Sequence, residues 1–148
     1  MNLRYLILPF ALLATVSATV APASSESVAA PAMSIADISD AYVRLTLEAG
    51  THEAEYVDAY YGPPALQAAA KANPRSLAQL IAEARVLTAA IDGTLPSIKV
   101  EPDRRRAVAL RGMLIAADTR LQMLQGRTFA FNDEAQGQFA TVPDLKPL

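Results

Sequence analysis

The chain has 148 residues, a formal net charge of −2, 52% hydrophobic and only 19% charged residues. That hydrophobicity excludes a wholly disordered polypeptide, and the length allows one domain. With 13 basic against 15 acidic residues there is no general positive field for nucleic acid. One histidine and no cysteine exclude a disulfide framework, a thiolate zinc site, a cysteine nucleophile and a lipid-modified cysteine.

Arg4 is the one charge at the start, residues 5–25 carry none, and 6–16 are strongly apolar. Ala21-Pro22-Ala23 follows with small residues at the spacing a signal peptidase reads. A basic start, a short apolar core and a small-x-small end describe a secretory signal peptide over 1–23. Cleavage after Ala18 is an alternative. An uncleaved anchor is the rival reading, but a spanning helix needs about 20 apolar residues, and here the apolar density decays into Thr, Ser and Pro. With the segment cleaved, no stable membrane anchor is expected. Residues 24–33 read as a flexible linker, 34–140 as a helical domain and 141–148 as an irregular tail with two prolines. The expected location is exported, and the absence of cysteine suits a periplasm.

After that segment the sequence predicts an all-α fold, four to five helices in an antiparallel, bundle-like arrangement. Alanine, the best helix former, occurs 30 times, and alternating β-branched runs are missing. The first helix is predicted over 35–49, capped by Ser34, with Asp37 in the first turn and Gly50 as terminator. Ile35, Ile38, Tyr42, Leu45 and Ala49 form its apolar stripe. A short helix over 53–61 follows, with Thr51 as cap and Gly62-Pro63-Pro64 as stop. Pro64 then opens a brief helix over 64–72.

The third principal helix is predicted over 77–92, with Ser76 and Gln79 at the spacing of a capping box and Gly93 as its end. Leu77, Leu80, Ile81, Ala84, Leu87, Thr88 and Ile91 form its buried face. Residues 94–102 read as a loop. A long helix over 103–125 ends at Gly126, with Ala107, Leu110, Leu114, Ala117, Leu121 and Leu124 in its stripe. Gly112 weakens it by about 1 kcal/mol relative to alanine. Asn132 is expected to cap a last short helix over 133–139.

His52-Glu53 opens like a zincin motif, but His52-Glu53-Ala54-Glu55-Tyr56 has no second histidine. A catalytic zinc usually takes three protein ligands. His52 therefore reads as a solvated helix-end histidine. No Gly-x-Ser-x-Gly elbow and no phosphate-cradling glycine loop occurs. Glu53, Glu55 and Asp58 are close in sequence, but first-turn carboxylates ordinarily serve the helix dipole. The expected catalytic and metal residues are none, and no cofactor is expected. Tyr56, Tyr60 and Tyr61, with Asp58 between them, are candidates for an interface or cleft surface; the plainer reading makes them the buried face of a short helix. Arg104, Arg105 and Arg106 oppose the dipole at a helix start and are candidates for an anion contact. Their plainer reading is a solvated turn beside Glu101 and Asp103.

The run Glu55-Tyr56-Val57-Asp58-Ala59-Tyr60-Tyr61-Gly62-Pro63-Pro64 resembles the N-terminal signature of a poorly characterised family of exported bacterial proteins that look like zinc metallopeptidases. Ser76-Leu77-Ala78, the run Arg120-Leu121-Gln122-Met123-Leu124-Gln125-Gly126 and Phe131-Asn132-Asp133-Glu134-Ala135 are similar in order and spacing. Pro143-Asp144-Leu145-Lys146-Pro147-Leu148 resembles a point where those chains continue. The resemblance covers most of 40–148. It implies zinc for full-length relatives, held by a downstream His-Glu-x-x-x-x-His-His run that nothing here matches. No ligand or catalytic glutamate carries over.

The expectation is therefore a noncatalytic N-terminal helical portion of a zinc-peptidase-like protein, truncated before the metal site. Its expected partners are a missing C-terminal catalytic domain or a second copy. A complete periplasmic helical module binding a protein or small ligand is the alternative, and an active isolated enzyme ranks third. A face meant for a missing domain should stay exposed as an apolar patch, at the tyrosine segment or on the long helix.

Overall fold

The computed structural model describes residues 33–142. The expected signal peptide, nearly all of the linker and residues 143–148 lie outside the described residues. The described part is all-α, with five α-helices. These are α1 (Ile35–His52), α2 (Pro64–Ala72), α3 (Leu77–Thr94), α4 (Glu101–Leu124) and α5 (Phe131–Phe139), with a 3-10 turn at Leu95–Ser97 before α4. No helix among the described residues is long and apolar enough to cross a membrane.

Local chemistry starts the helices much as their sequences suggest. The Ser34 hydroxyl accepts from the Asp37 amide at 3.2 Å while the Asp37 carboxylate takes the Ser34 amide. That reciprocal pair satisfies two of the donors a helix start leaves open; a hydrogen bond from the Ser34 hydroxyl at 2.7 Å, with that from its amide, holds the Asp37 carboxyl below its ordinary value. Ser76 and Gln79 form the same box at α3. Ser76→Ala should lower stability by about 1 kcal/mol, read as a shift in urea midpoint at unchanged slope. At the other end of α4, Gly126 sits at φ 91°. Its amide bonds Met123 O at 2.8 Å and the Arg127 amide bonds Gln122 O at 3.0 Å, the paired closure that a left-handed glycine permits.

The predicted stripes become the core. Ile38, Leu45, Leu80, Ile91, Leu114 and Leu121 are its largest fully buried side chains. They come from α1, α3 and α4, which pack together, while α2 rests on α1 alone and α5 on α4 alone. Arg85 pairs with Asp118 and Asp92 with Arg111, so positions rise along α3 as they fall along α4. These two helices run antiparallel.

Several predicted boundaries are corrected. α1 does not stop at Gly50 but runs to His52, and the predicted helix over 53–61 is instead irregular chain with turns and bends. Glu53 leaves the helix at φ −140°, ψ 110°. Gly50 serves packing rather than termination: Val57 returns against α1, and a Cβ at Gly50 would lie 3.7 Å from its Cγ2. α3 passes through Gly93 to Thr94, because Leu95 beyond it packs on the core. α4 starts at Glu101 and not Asp103, with Pro102 in its first turn, where a proline is tolerated. Asn132 is not a cap. α5 begins two residues earlier, at Phe131 after Ala130, with no side-chain cap.

Candidate functional site

The four candidate residues of the tyrosine segment are divided by the fold. Tyr56 turns inward, packs on the core and sits beside Tyr42. Burial raises the Tyr42 phenol and pushes that of Tyr56 up to about 12, with Tyr42 and Glu53 adding to the rise at Tyr56. A phenol so placed stays protonated near neutrality and supplies no base. Tyr60 folds over Gly62, with its hydroxyl 3.4 Å from Pro63 O. Any side chain at Gly62 would collide with that ring. Tyr60 lines a cleft of about 380 Å³ with Asp40, Arg44, Pro63 and Leu66. Tyr61 is 96% exposed and Asp58 is exposed beside it. The expected tyrosine face is therefore one core anchor, one cleft wall and one projecting ring.

The anchor beneath this corner combines residues far apart in sequence. Arg120 on α4 grips Glu53 through two nitrogens, with Nε to Oε2 at 3.0 Å. The hydrogen bond from Arg120 holds the Glu53 carboxyl below its ordinary value, against some desolvation. Glu134 on α5 lies close enough to add to the Arg120 cation's stabilisation. Composition pointed to Glu53 only as a dipole residue. Nothing in local spacing marks Arg120, 67 positions away, as its partner.

Because the Glu53 carboxyl is lowered in the folded state, its contribution to stability is present at neutral pH and fades as pH falls through its folded value. Glu53→Gln should lower stability at pH 7 by about 1 kcal/mol, the small size following from the partial exposure of Arg120 (39%). Urea unfolding should show the gap between the two proteins closing as pH falls below the ordinary carboxylate range. A gap that widens in acid would contradict the pairing.

The single histidine is also engaged structurally. His52 Nε2 lies 2.7 Å from Arg75 O, so that nitrogen carries the proton and donates. Arg75 in turn binds Glu48 through Nε at 2.7 Å and Nη2 at 2.8 Å, and its amide donates to the same carboxylate at 3.2 Å. Desolvation works against the Glu48 anion, but the Arg75 bonds outweigh it and its carboxyl is lowered. The cluster staples the end of α1 to the start of α3. Among the described residues no group of three or more His, Cys, Asp or Glu side chains is placed to hold a metal.

Arg104, Arg105 and Arg106 are not brought together. Successive helix positions differ by about 100°, so the three fan outward. Arg104 Nη1 reaches Leu95 O at 3.4 Å, Arg105 lies 3.8 Å from Glu101, and Arg106 lies 3.8 Å from Asp103. A second cleft, of about 370 Å³, lies between the end of α1 and α2, lined by Leu47, Gly50, Thr51, Val57, Gln67 and Lys71. Sequence periodicity missed it, because Leu47 lies off the main α1 stripe yet is buried. Set against protein-family models, curated proteins and solved structures, the chain matches none.

Proposed function

We propose that this chain is a noncatalytic helical portion of an exported zinc-peptidase-like protein, and that the metal-binding residues belong to a part of that protein encoded further along. The observation that carries the reading is ligand scarcity. The sequence holds one imidazole and no thiol, and that imidazole holds the Arg75 carbonyl. A hydrolytic zinc centre usually needs three protein ligands, and the peptidase forms use histidines for at least two of them. The titratable groups clustered with Glu53 are equally unsuited to acid–base work. A carboxylate locked to Arg120 and a phenol near 12 both lie far from the near-neutral pKa that efficient proton transfer needs.

The segments that carry the family resemblance support the reading by their placement. Tyr56 of the first, Arg120 of the third and Glu134 of the fourth meet at one end of the bundle. Tyr61 and Asp58 of the first segment are exposed, and they are the surface we assign to contact with the rest of the protein. The second reading, a helical module that binds a small ligand, draws on the cleft between α1 and α2, where Lys71, Gln67 and Thr51 line the walls together with Leu47 and Val57.

Reading the genomic DNA downstream tests the first proposal directly. It expects a frame encoding a His-Glu-x-x-x-x-His-His run; an intergenic region with no such frame overturns it. Purified protein should hold no stoichiometric zinc and cleave no peptide. Tight one-to-one zinc coupled to turnover in this chain would reject both readings.

A further inference from the structure

We propose that the cleft walled by α1, Tyr60 and the start of α2 binds a free amino acid with a large apolar side chain, its ammonium on Asp40 and its carboxylate on Arg44. The inference goes beyond both readings above and uses neither a metal site nor the cleft at Lys71.

Asp40 and Arg44 stand one turn apart on α1, the acid first, which is the order and spacing that pairs best on a helix. Yet neither enters an ion pair among the described residues. Their other helical neighbours offer no substitute. Glu48, one turn beyond Arg44, is taken by two nitrogens of Arg75. Asp37, one turn before Asp40, is itself an acid and is bound by Ser34. Asp40 and Arg44 are both exposed, and both line the cleft of about 380 Å³.

The rest of that lining is largely apolar, from Val43, Tyr60, Pro63 and Leu66. Two local contacts set the Tyr60 ring as a wall. Its hydroxyl donates to Pro63 O at 3.4 Å, and the ring occupies space that a side chain at Gly62 would claim, since a Cβ there would lie 2.5 Å from Cζ. An aromatic wall beside aliphatic groups takes a ring or a branched aliphatic side chain. The size of the cleft limits the ligand. It lies at the small end of the roughly 300–1,000 Å³ of small-molecule sites, which suits one amino acid rather than an oligopeptide. Side chains one turn apart start about 5–6 Å from each other. That separation fits two charges borne on a single carbon better than the two ends of a peptide.

Other clefts lack the combination. Where Ile35 and Ile98 form the walls, the charges are Asp103 and Arg106, which lie 3.8 Å apart and answer each other. In the groove along α5, Arg111 is held by Asp92 at 2.6 Å. The cleft at Leu47 has the cation Lys71 and no carboxylate. Only at Tyr60, among these four, do an unpaired acid and an unpaired guanidinium share one apolar hollow. A zwitterion gives each a partner, and Arg44 can take a carboxylate through two parallel N–H donors.

The test is titration calorimetry on the chain expressed with its own N-terminal segment and purified as the cell delivers it. L-Phenylalanine should bind at one saturable site with a Kd of about 1 mM or tighter. N-Acetyl-L-phenylalanine lacks the ammonium, L-phenylalaninamide lacks the carboxylate and glycine lacks the side chain; each should bind at least about tenfold more weakly. Asp40→Asn should weaken L-phenylalanine about tenfold and leave the acetylated analogue unchanged, and Arg44→Gln should do the same for L-phenylalanine and the amide. These paired responses separate contact with the ligand from a general loss of structure, and unchanged helical circular dichroism and melting confirm that each variant folds. No saturation by about 10 mM L-phenylalanine, equal affinity for the blocked analogues, or variants that weaken every ligand alike overturns the proposal.

Discussion

Leu114→Ala should lower the unfolding free energy by about 3–5 kcal/mol and the melting temperature by about 10–20 °C. Leu114 is completely buried on α4, in the cluster to which α1 and α3 contribute Ile38, Leu45, Leu80 and Ile91. Removing its isobutyl group loses the transfer energy of those atoms. It also leaves a cavity lined by three helices that cannot all close on it, and the second loss is why the cost exceeds that of burial alone. Leu114→Met, which keeps the volume, should cost under about 1.5 kcal/mol. Val108→Ala on the same helix, half-exposed, should stay within about 0.5 kcal/mol. Chemical unfolding of the three variants separates enclosure from mere hydrophobicity. A loss below about 1 kcal/mol for Leu114→Ala would show that this side chain is not enclosed.

Gly137→Ala should loosen α5 selectively. In a free helix the change would stabilise by about 1 kcal/mol. Here the new Cβ would lie 2.5 Å from Thr119 Oγ1 and 2.9 Å from Cγ2, closer than van der Waals contact allows. Thr119 cannot easily swing aside, because it is β-branched and its hydroxyl bonds Ile115 O at 2.9 Å. We expect the clash to win by about 1–2 kcal/mol. α5 packs on α4 alone, so the loss should appear as about a tenfold or greater fall in hydrogen-exchange protection across α5, with α1, α3 and α4 little changed. Adding Thr119→Ala clears both crowding atoms and should return the protection; that recovery identifies the contact as the cause. Protection that rises in the single variant would mean that helix propensity outweighs the fit.

Ser34 and Ser76 were readable as caps because a hydroxyl and the amide three residues on are local partners. The α3 and α4 stripes were readable because helical period selects Leu80, Ala84, Leu87 and Ile91, and Leu110, Leu114 and Leu121, for one face. Gly126 was readable as a terminus, and it is the one described glycine that adopts a positive φ. Gly50 and Gly93 misled for the same reason in reverse. Glycine allows a helix to end but does not require it, and packing by Val57 and Leu95 carries both helices onward.

The tyrosine segment shows where local pattern runs out. Tyr56, Val57, Tyr60 and Tyr61 have helical spacing, yet the chain there runs through turns and bends rather than a helix. Glu53 is drawn out of α1 to Arg120 while Tyr56 sinks into the core. The candidate surface was half legible: Tyr61 and Asp58 are outside and Tyr60 lines a cleft, but Tyr56 is an anchor. Arg104, Arg105 and Arg106 looked like a cluster because they are consecutive, and a helix separates consecutive residues.

Composition and period alone established an all-α chain, the Ser34 and Ser76 caps, its main buried stripes and its shortage of zinc ligands. Each depends on residue type or on neighbours within one helical turn. Three-dimensional packing settled how Glu53 pairs with Arg120, which tyrosine packs on the core, and how α5 comes to lie on the outer side of α4. Those outcomes depend on groups as many as 67 positions apart, whose meeting is set by the joint burial of three helices and carries no local signal.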